Sequence, residues 1–424
     1  MTLTSSITKQ VKKNIPVNFR RLILNKTIKQ PLRAWMFDTV KDRLNLNMVS
    51  RDEILSNREK YHVLPFGSEE SVLISEPCHN SDYLPSFIES RINETVALER
   101  PFVCEVANAK LVGPAVVGFD ENGSMIAETI MPTTLKKIPE SLKNGLPAST
   151  LILKSLPDLG ISQLDTACSL VTCWNGNYHN WLAYCLTRIE GIEYYQEQTG
   201  IKPTIIIEPN PPKWKVESLR LLGYEPEDYM QWNQSRVQVR RLVIPSFRTR
   251  LQVPQPSACQ WLRQRIFSNL PAADGKKFSP KVYISRPKKA GRNIINEDAL
   301  QEVLSSLGFV AYTPEYLSFS DQVRLFSQAE IVVAPHGAGL ANIIFGNNLK
   351  VIELFSSYGT PAYFVLAKAL GFRYGCLVSN PNLDVKKQYD QYKGMTVDVA
   401  KLRSLVEQML EMPAAQTQAA IAQA

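Results

Sequence analysis

Apolar and polar positions follow two different rhythms along this chain, and the change of rhythm divides it. From Lys281 onward, short β-branched runs alternate with segments of helical period, with only a few residues between them. Residues 282–285, 310–313, 331–333, 350–354 and 374–378 read as strands. Helices fit between them. One runs over 296–307, opened at Asn296 and stopped before Gly308, and another over 318–329, where Ser318 and Asp321 form a capping-box signature. An apolar helical segment starts near Leu340, and a helix over 360–370 ends at Gly371. Strand-helix alternation with short connections specifies a doubly wound parallel sheet.

Between Tyr61 and Ser246 the pattern is mixed. Runs at 72–74, 102–106, 115–119, 150–153 and 204–207 read as strands, separated by turn signals such as Asn122-Gly123 and Asn210-Pro211-Pro212. A helix is expected over 180–198, with Trp181, Leu182, Cys185, Leu186, Ile189 and Ile192 on one face, and a second over 215–222. Residues 247–281 carry the proline and glycine of a connection around a short helix at 257–267. The expected organisation is a basic arm (1–60), an α/β unit (61–246), a connection (247–281), a second α/β unit (282–385), and a helix with an Ala/Gln-rich tail (386–424).

Composition narrows the class. At 424 residues with 44% hydrophobic and 21% charged, the chain can bury two cores and is not a disordered protein. No apolar run approaches the ~18 residues of a membrane span, and the N-terminus lacks the apolar core of a signal peptide. A soluble or peripheral, cytoplasmic protein is expected. Seven cysteines, an odd number without Cys-x-x-Cys spacing, fit free thiols in a reducing compartment. Residues 1–60 hold 13 Lys/Arg against 5 Asp/Glu, a charge of +8 that equals the net charge of the whole chain. The remainder is neutral, which excludes a generally basic nucleic-acid binder. Lys9, Lys12, Lys13, Arg20 and Arg21, interleaved with Ile15, Phe19 and Leu22, suit either a solvated arm or peripheral contact with the anionic inner face of a membrane.

Candidate chemistry concentrates in Ile331–Phe355. A strand leads into a loop with Gly337 and Gly339, and a following strand carries Glu353 at its far end. Parallel sheets bind ligands at the carboxyl ends of their strands, glycine lets backbone approach a ligand, and helix-opening N–H groups hold anions. This points to a pocket for the diphosphate and ribose of a nucleotide, although Gly-x-Gly turns also occur where no nucleotide binds. A dinucleotide fingerprint fits poorly. Asn342 stands where the third glycine belongs, and Glu353 follows sooner than the roughly 20 residues expected of a ribose-binding acid. A second cluster, Arg286, Lys288, Lys289 and Arg292, leaves the carboxyl end of another strand and offers paired donors and point charges to a diphosphate. Metal chemistry has less support. No Asp-x-Asp pair occurs, and His62, His79, His179 and His336 lack ligand spacing.

These words together resemble glycosyltransferase family 61. The resemblance is carried by Ser285, Arg286, Arg292, Asn296 and Glu297, by His336-Gly337-Ala338-Gly339-Leu340 with Asn342, and by Val351-Ile352-Glu353-Leu354. Tyr363, Leu366-Ala367, Leu370-Gly371 and Tyr374 extend it, and Ser218, Arg220, Gly223 and Val243-Ile244-Pro245-Ser246 match in the first half. The resemblance implies two Rossmann-like domains facing a cleft (the GT-B arrangement) and inverting, metal-independent transfer from a nucleotide-diphosphate sugar, UDP-linked, with no cofactor. The acceptor would be a glycan or lipid-linked hydroxyl, as in surface polysaccharide synthesis. Arg286, Lys289, Arg292, His336, Gly337, Ala338, Gly339, Asn342 and Glu353 would hold the donor, Glu353 at the ribose. Asn177, Trp181 and Arg188 would lie on the acceptor side. The family pattern Asn-aromatic-aromatic-His-Trp is altered here to Asn177-Tyr178-His179-Asn180-Trp181, with Tyr184 replacing an acid. His179 is the candidate base, with Asp165 as the fallback. Two rivals remain at this stage: a nucleotide-sugar-binding protein without transfer, and an NAD-type oxidoreductase.

Overall fold

The computed structural model describes residues 47–81, 83–131, 161–273, 275–287, 293–356, 359–379 and 394–413. The expected arm up to residue 46, the run at 150–153, the tail, and the expected donor residues Lys289 and Arg292 lie outside the described residues.

The first half is built on long strands. These are β1 (Phe102–Val112), β2 (Ser162–Ser169), β3 (Thr204–Ile207) and β4 (Arg236–Pro245). β4 pairs antiparallel with β1 and parallel with β2, and β2 and β3 run parallel to a short edge strand, Tyr229–Gln231. Met48–Val49, Met125–Ile126 and Val117–Phe119 extend the sheet beyond β1. This sheet is mixed, because β1 pairs antiparallel with its neighbours while β2, β3 and β4 run parallel to one another. Sequence pattern found only the first residues of β1 and missed β2. The amino half of β2, Ser162-Gln163-Leu164-Asp165, is largely solvent-facing and only its last four residues are buried, so no period shows.

The second half meets expectation closely. β5 (Lys281–Ile284), β6 (Val310–Tyr312), β7 (Ile331–Pro335), β8 (Lys350–Phe355) and β9 (Arg373–Val378) form a parallel sheet in the order β6-β5-β7-β8-β9. Chain direction across the sheet reverses between β5 and β7, a switch point where the crevice beyond the strand ends takes ligands. Helices Glu297–Ser306, Phe319–Gln328 and Ala362–Ala369 connect the strands. Ser318 accepts the Asp321 N–H at 3.0 Å, as the capping signature predicts, and Gly371 closes the last of these helices at φ 72°. Asn296 does not cap. Its amide spans to residue 397 instead, donating to Val397 O at 2.8 Å and accepting Val397 N–H at 3.0 Å. The segment after Gly337 is a 3₁₀-helix, Ala338–Phe345, where an α-helix was expected.

The two halves are not separate bodies. A sixth strand of the second sheet, Cys78–His79, comes from the first half and pairs parallel with β9. One buried cluster also joins Trp181, Leu186 and Ile189 to Phe319, Leu340 and Phe364. The crossing strand is two residues long, too short to announce itself in the sequence. What stands is a mixed α/β molecule with parallel-rich sheets. All seven cysteines are free, and no helix among the described residues is long and apolar enough to cross a membrane.

Candidate active site

The switch point brings together two of the sequence's candidate segments. Arg286 follows β5 and His336-Gly337 follows β7, so both leave the same edge of the sheet on either side of the crevice. The contact is close. A Cβ placed on Gly337 would stand 3.3 Å from Arg286 Nη2 and 3.4 Å from its Cζ. A side chain at 337 would press on that guanidinium, while the φ of Gly337, 170°, is ordinary extended backbone. Ala338 and Gly339 are the partly exposed residues of the loop. Ser285, next to Arg286, fixes the strand end through its N–H to Tyr312 O (2.9 Å) and a 2.6 Å hydroxyl contact with Thr313.

Beneath the loop lies a buried dyad. His336 Nδ1 meets Glu353 Oε1 at 2.5 Å, and the Tyr374 hydroxyl donates to Glu353 Oε2 at 2.5 Å. Burial and the adjacent carboxylate raise the Tyr374 phenol far above its usual range, so it remains a donor. A fully buried carboxylate persists only with such partners. Glu353, expected at the ribose, has a side chain 0% exposed and holds His336 from below. With Nδ1 turned to the carboxylate, Nε2 is the ring nitrogen directed elsewhere.

Asn342 is also redirected. It is completely buried and its amide is spent on protein: Oδ1 accepts the Tyr178 hydroxyl at 2.6 Å, and Nδ2 donates to Gln322 Oε1 at 2.9 Å and Gly339 O at 3.2 Å. It latches the glycine loop to the first half instead of touching a donor. Tyr178 opens a helical passage whose N-cap is Asn177, whose exposed side chain accepts the Asn180 N–H at 3.0 Å. The passage continues as a π-turn over Trp181–Cys185, a 3₁₀ turn, and the α-helix Ile189–Thr199. π-turns cluster at functional sites and add a residue to the register. The extra residue lies just after the histidine that stands one place early in the family pattern.

His179 lies at the junction of the two halves. Its ring packs edge-on against Tyr184 (5.7 Å) and Tyr363 (5.3 Å), and Tyr363 in turn lies 5.4 Å from the His336 ring. Both His179 ring nitrogens are buried without a hydrogen-bond partner. Burial, with His336 nearby, lowers its pKa to about 4, so it is neutral at pH 7.

The other residues expected at the site have their polar atoms engaged by the protein itself. Trp181 is a core side chain whose Nε1 donates to Ser218 Oγ at 2.9 Å, with Lys215 Nζ 4.3 Å from its ring centre. Arg188 is buried too. It donates to Pro245 O (2.9 Å) and Ser169 O (3.1 Å), so it ties β2 to β4 and cannot meet an acceptor. Asp165 sits on the exposed stretch of β2, held by Arg241 and Arg240 at a pKa of about 2, too acidic for a base. Sequence reasoning missed Tyr178, Tyr184 and Tyr363, which join the two histidines to the rest. It also missed the buried Lys215–Glu208 pair, in which Lys215 donates to Asn175 O at 2.7 Å and braces the loop before Asn177. The signal for Tyr363 was present among the resembling words; Lys215 and Glu208 gave none. Among the described residues, no three His, Cys, Asp or Glu side chains gather as a metal site would need.

Comparison with known proteins fits this geometry. The glycosyltransferase 61 family matches residues 81–352, well over half the chain and including His179, Arg286 and the glycine loop. Over 89 residues the chain is 30% identical to the EGF domain-specific O-linked N-acetylglucosamine transferase of Gallus gallus, covering 20% of this chain and 17% of that protein. The chain thus spans about a sixth of the length of that relative. On the extent of the family match, this chain belongs to glycosyltransferase family 61.

Proposed function

We propose that this protein transfers a sugar from a nucleotide-diphosphate sugar to a hydroxyl acceptor, with inversion at the anomeric carbon and without a metal ion. The observation that carries the reading is the Arg286 guanidinium laid across Gly337 at the switch point between β5 and β7. A guanidinium beside the partly exposed Ala338-Gly339 loop suits the two phosphates of a leaving nucleoside diphosphate. His336 supports it from the same loop. Glu353 holds its ring through Nδ1.

In this reading the acceptor oxygen attacks the anomeric carbon as the bond to the β-phosphate oxygen breaks. His179, neutral at pH 7, is the residue assigned to take the acceptor's proton, and Arg286 meets the charge that develops on the leaving group. Placement at a cytoplasmic membrane face and work on a surface polysaccharide or lipid-linked glycan belong to the same proposal. UDP-N-acetylglucosamine is one donor to try first, given the avian relative's name.

The test is turnover of UDP- and GDP-sugars by purified protein in EDTA, with the anomeric configuration of the product read by NMR. Metal-free turnover with inversion, reduced roughly 10²–10³-fold in Arg286→Ala, is expected. Nucleotide binding without turnover on any acceptor would instead mark a nucleotide-sugar-binding protein.

A further inference from the structure

The edge where the two halves cross carries a sulfur cluster that the proposed transfer does not use. Cys78 lies on the short strand that the first half lends to the second sheet, and its thiol meets the Met412 sulfur at 3.6 Å. Met412 follows directly on the helix Val399–Glu411, and Met409 stands three residues earlier on the same face. Met409 is fully buried, whereas Cys78 and Met412 are half-buried, so the cluster reaches the surface.

Gly375 places the third sulfur. It sits opposite Cys78 in the parallel pairing with β9, where a side chain would point to the same face as that of Cys78. A Cβ built on Gly375 would stand 3.3 Å from Cys78 O and 3.5 Å from Met409 Sδ, so the Met409 sulfur lies over the same pair of strands. The helix end is pinned as well, because Lys350 Nζ donates to Met412 O at 2.7 Å and to Leu410 O at 3.1 Å. Filling gaps in a core is the usual work of methionine. That accounts for Met409 but not for the half-buried Met412, whose sulfur meets a thiol.

The ligand set is selective. One thiolate and two thioethers are soft donors, which favour Cu(I) over Mg(II) or Ca(II). An ion about 2.3 Å from each sulfur spaces two ligands of a trigonal set by about 4 Å, so a small turn of the Met412 side chain opens the pair to receive one. Charge agrees. A monovalent ion with one thiolate is neutral, and a half-buried site resists the net charge that a divalent ion would leave. His79 does not join the set, because neighbouring strand residues point to opposite faces and its Nδ1 is turned to Ser81 O at 3.2 Å. All three sulfurs fall outside residues 81–352, so the cluster belongs to this chain and not to the region matched by the family.

We infer that Cys78, Met409 and Met412 form a site for Cu(I), which staples the crossing strand to the helix Val399–Glu411; the inference is independent of the sugar-transfer reading. On binding, the Cys78 thiol gives its proton to solvent and a sulfur–metal bond replaces the S–H bond, with no change of oxidation state. The test is anaerobic competition for Cu(I) between the full chain and bicinchoninate, with X-ray absorption to read the ligands and Ag(I) as a redox-silent second probe. The variants are Cys78→Ser, Met409→Leu and Met412→Leu; leucine keeps the volume of methionine, so the two Leu variants should melt near wild type without metal. Expected is one equivalent of Cu(I) in a sulfur-only shell, lost in Cys78→Ser and weakened roughly ten-fold or more in each Leu variant. Cu(I) should also raise the melting temperature of the wild-type chain and not that of Cys78→Ser. Failure to draw Cu(I) from bicinchoninate, nitrogen in the shell, or Leu variants that bind as tightly as wild type overturns the site. Zn(II) bound as tightly as Cu(I) overturns the choice of ion.

Discussion

The hydroxyl of Tyr178 donates to Oδ1 of Asn342 at 2.6 Å, joining the passage that carries His179 to the loop that carries His336. Both partners are well packed, and Gln322 completes the network with contacts to each. Tyr178→Phe deletes the donor and leaves Asn342 Oδ1 without it, a change that costs about 1–3 kcal/mol. Chemical denaturation should show a lower midpoint at unchanged slope. If the loop depends on this latch, nucleotide affinity falls as well; a variant as stable as wild type would show that the latch contributes nothing.

Glu353 allows a sharper separation of stability from chemistry. Glu353→Ala strands the Tyr374 hydroxyl and His336 Nδ1 in the core, and about 3–5 kcal/mol of destabilisation is expected. Glu353→Gln keeps the volume and can still accept from Tyr374, so it should fold. It weakens the hydrogen bond that orients His336, and UDP affinity should fall roughly ten-fold or more. Calorimetric titration of the Gln variant at wild-type affinity would remove His336 from the phosphate site.

His179 should be visible in the pH dependence of stability. Its pKa is about 4 in the fold against an ordinary 6.5, chiefly through burial and secondarily through His336. Below 6.5 the unfolded chain binds a proton that the folded chain resists, so stability rises with pH through this window. The contribution is complete above 6.5 and is lost as pH falls through about 4, amounting to roughly 3 kcal/mol. His179→Phe, which keeps an aromatic ring between Tyr184 and Tyr363, should flatten the slope between pH 6.5 and 4. It should also abolish transfer if His179 is the base, since a ring without nitrogen accepts no proton. An unchanged slope in the Phe variant would mean that the imidazole is solvated.

The buried pair under the loop before Asn177 makes a further prediction. Lys215→Met leaves Glu208 in a site closed to water, and about 3–5 kcal/mol of destabilisation is expected. The Lys215→Met, Glu208→Leu double variant should recover most of it, measured by thermal melting. No recovery would show that the Lys215 contact to Asn175 O, rather than the ion pair, holds the loop.

The second sheet was legible in the sequence because its strands are buried on both faces and read as unbroken apolar runs between capped helices. Lys350–Phe355 and Ile331–Pro335 are instances. The first sheet was not, because β2 hides half its length in polar residues and β1 continues through Ala107-Asn108-Ala109 without a clear alternation. Of the candidate site, position along the chain was readable but burial was not. Arg286 and the His336-Gly337 loop leave the same edge of the sheet at the switch point. Trp181, Arg188, Asn342 and Glu353 carry equally suggestive residue types yet spend their polar atoms on the protein itself. Which polar residue faces the crevice and which supports it from behind is settled by packing from distant segments, and one motif does not record its partners.

The central claim is that Arg286 and the Gly337 loop hold a nucleoside diphosphate without a metal ion. Isothermal titration of UDP and GDP into the full chain in EDTA, repeated with Arg286→Ala, tests it most directly. The expected result is metal-free binding of at least one nucleotide, weakened at least ten-fold by the substitution, a loss of about 1.4 kcal/mol or more. Binding of neither nucleotide by the wild-type chain, or equal affinity in the variant, would contradict the account.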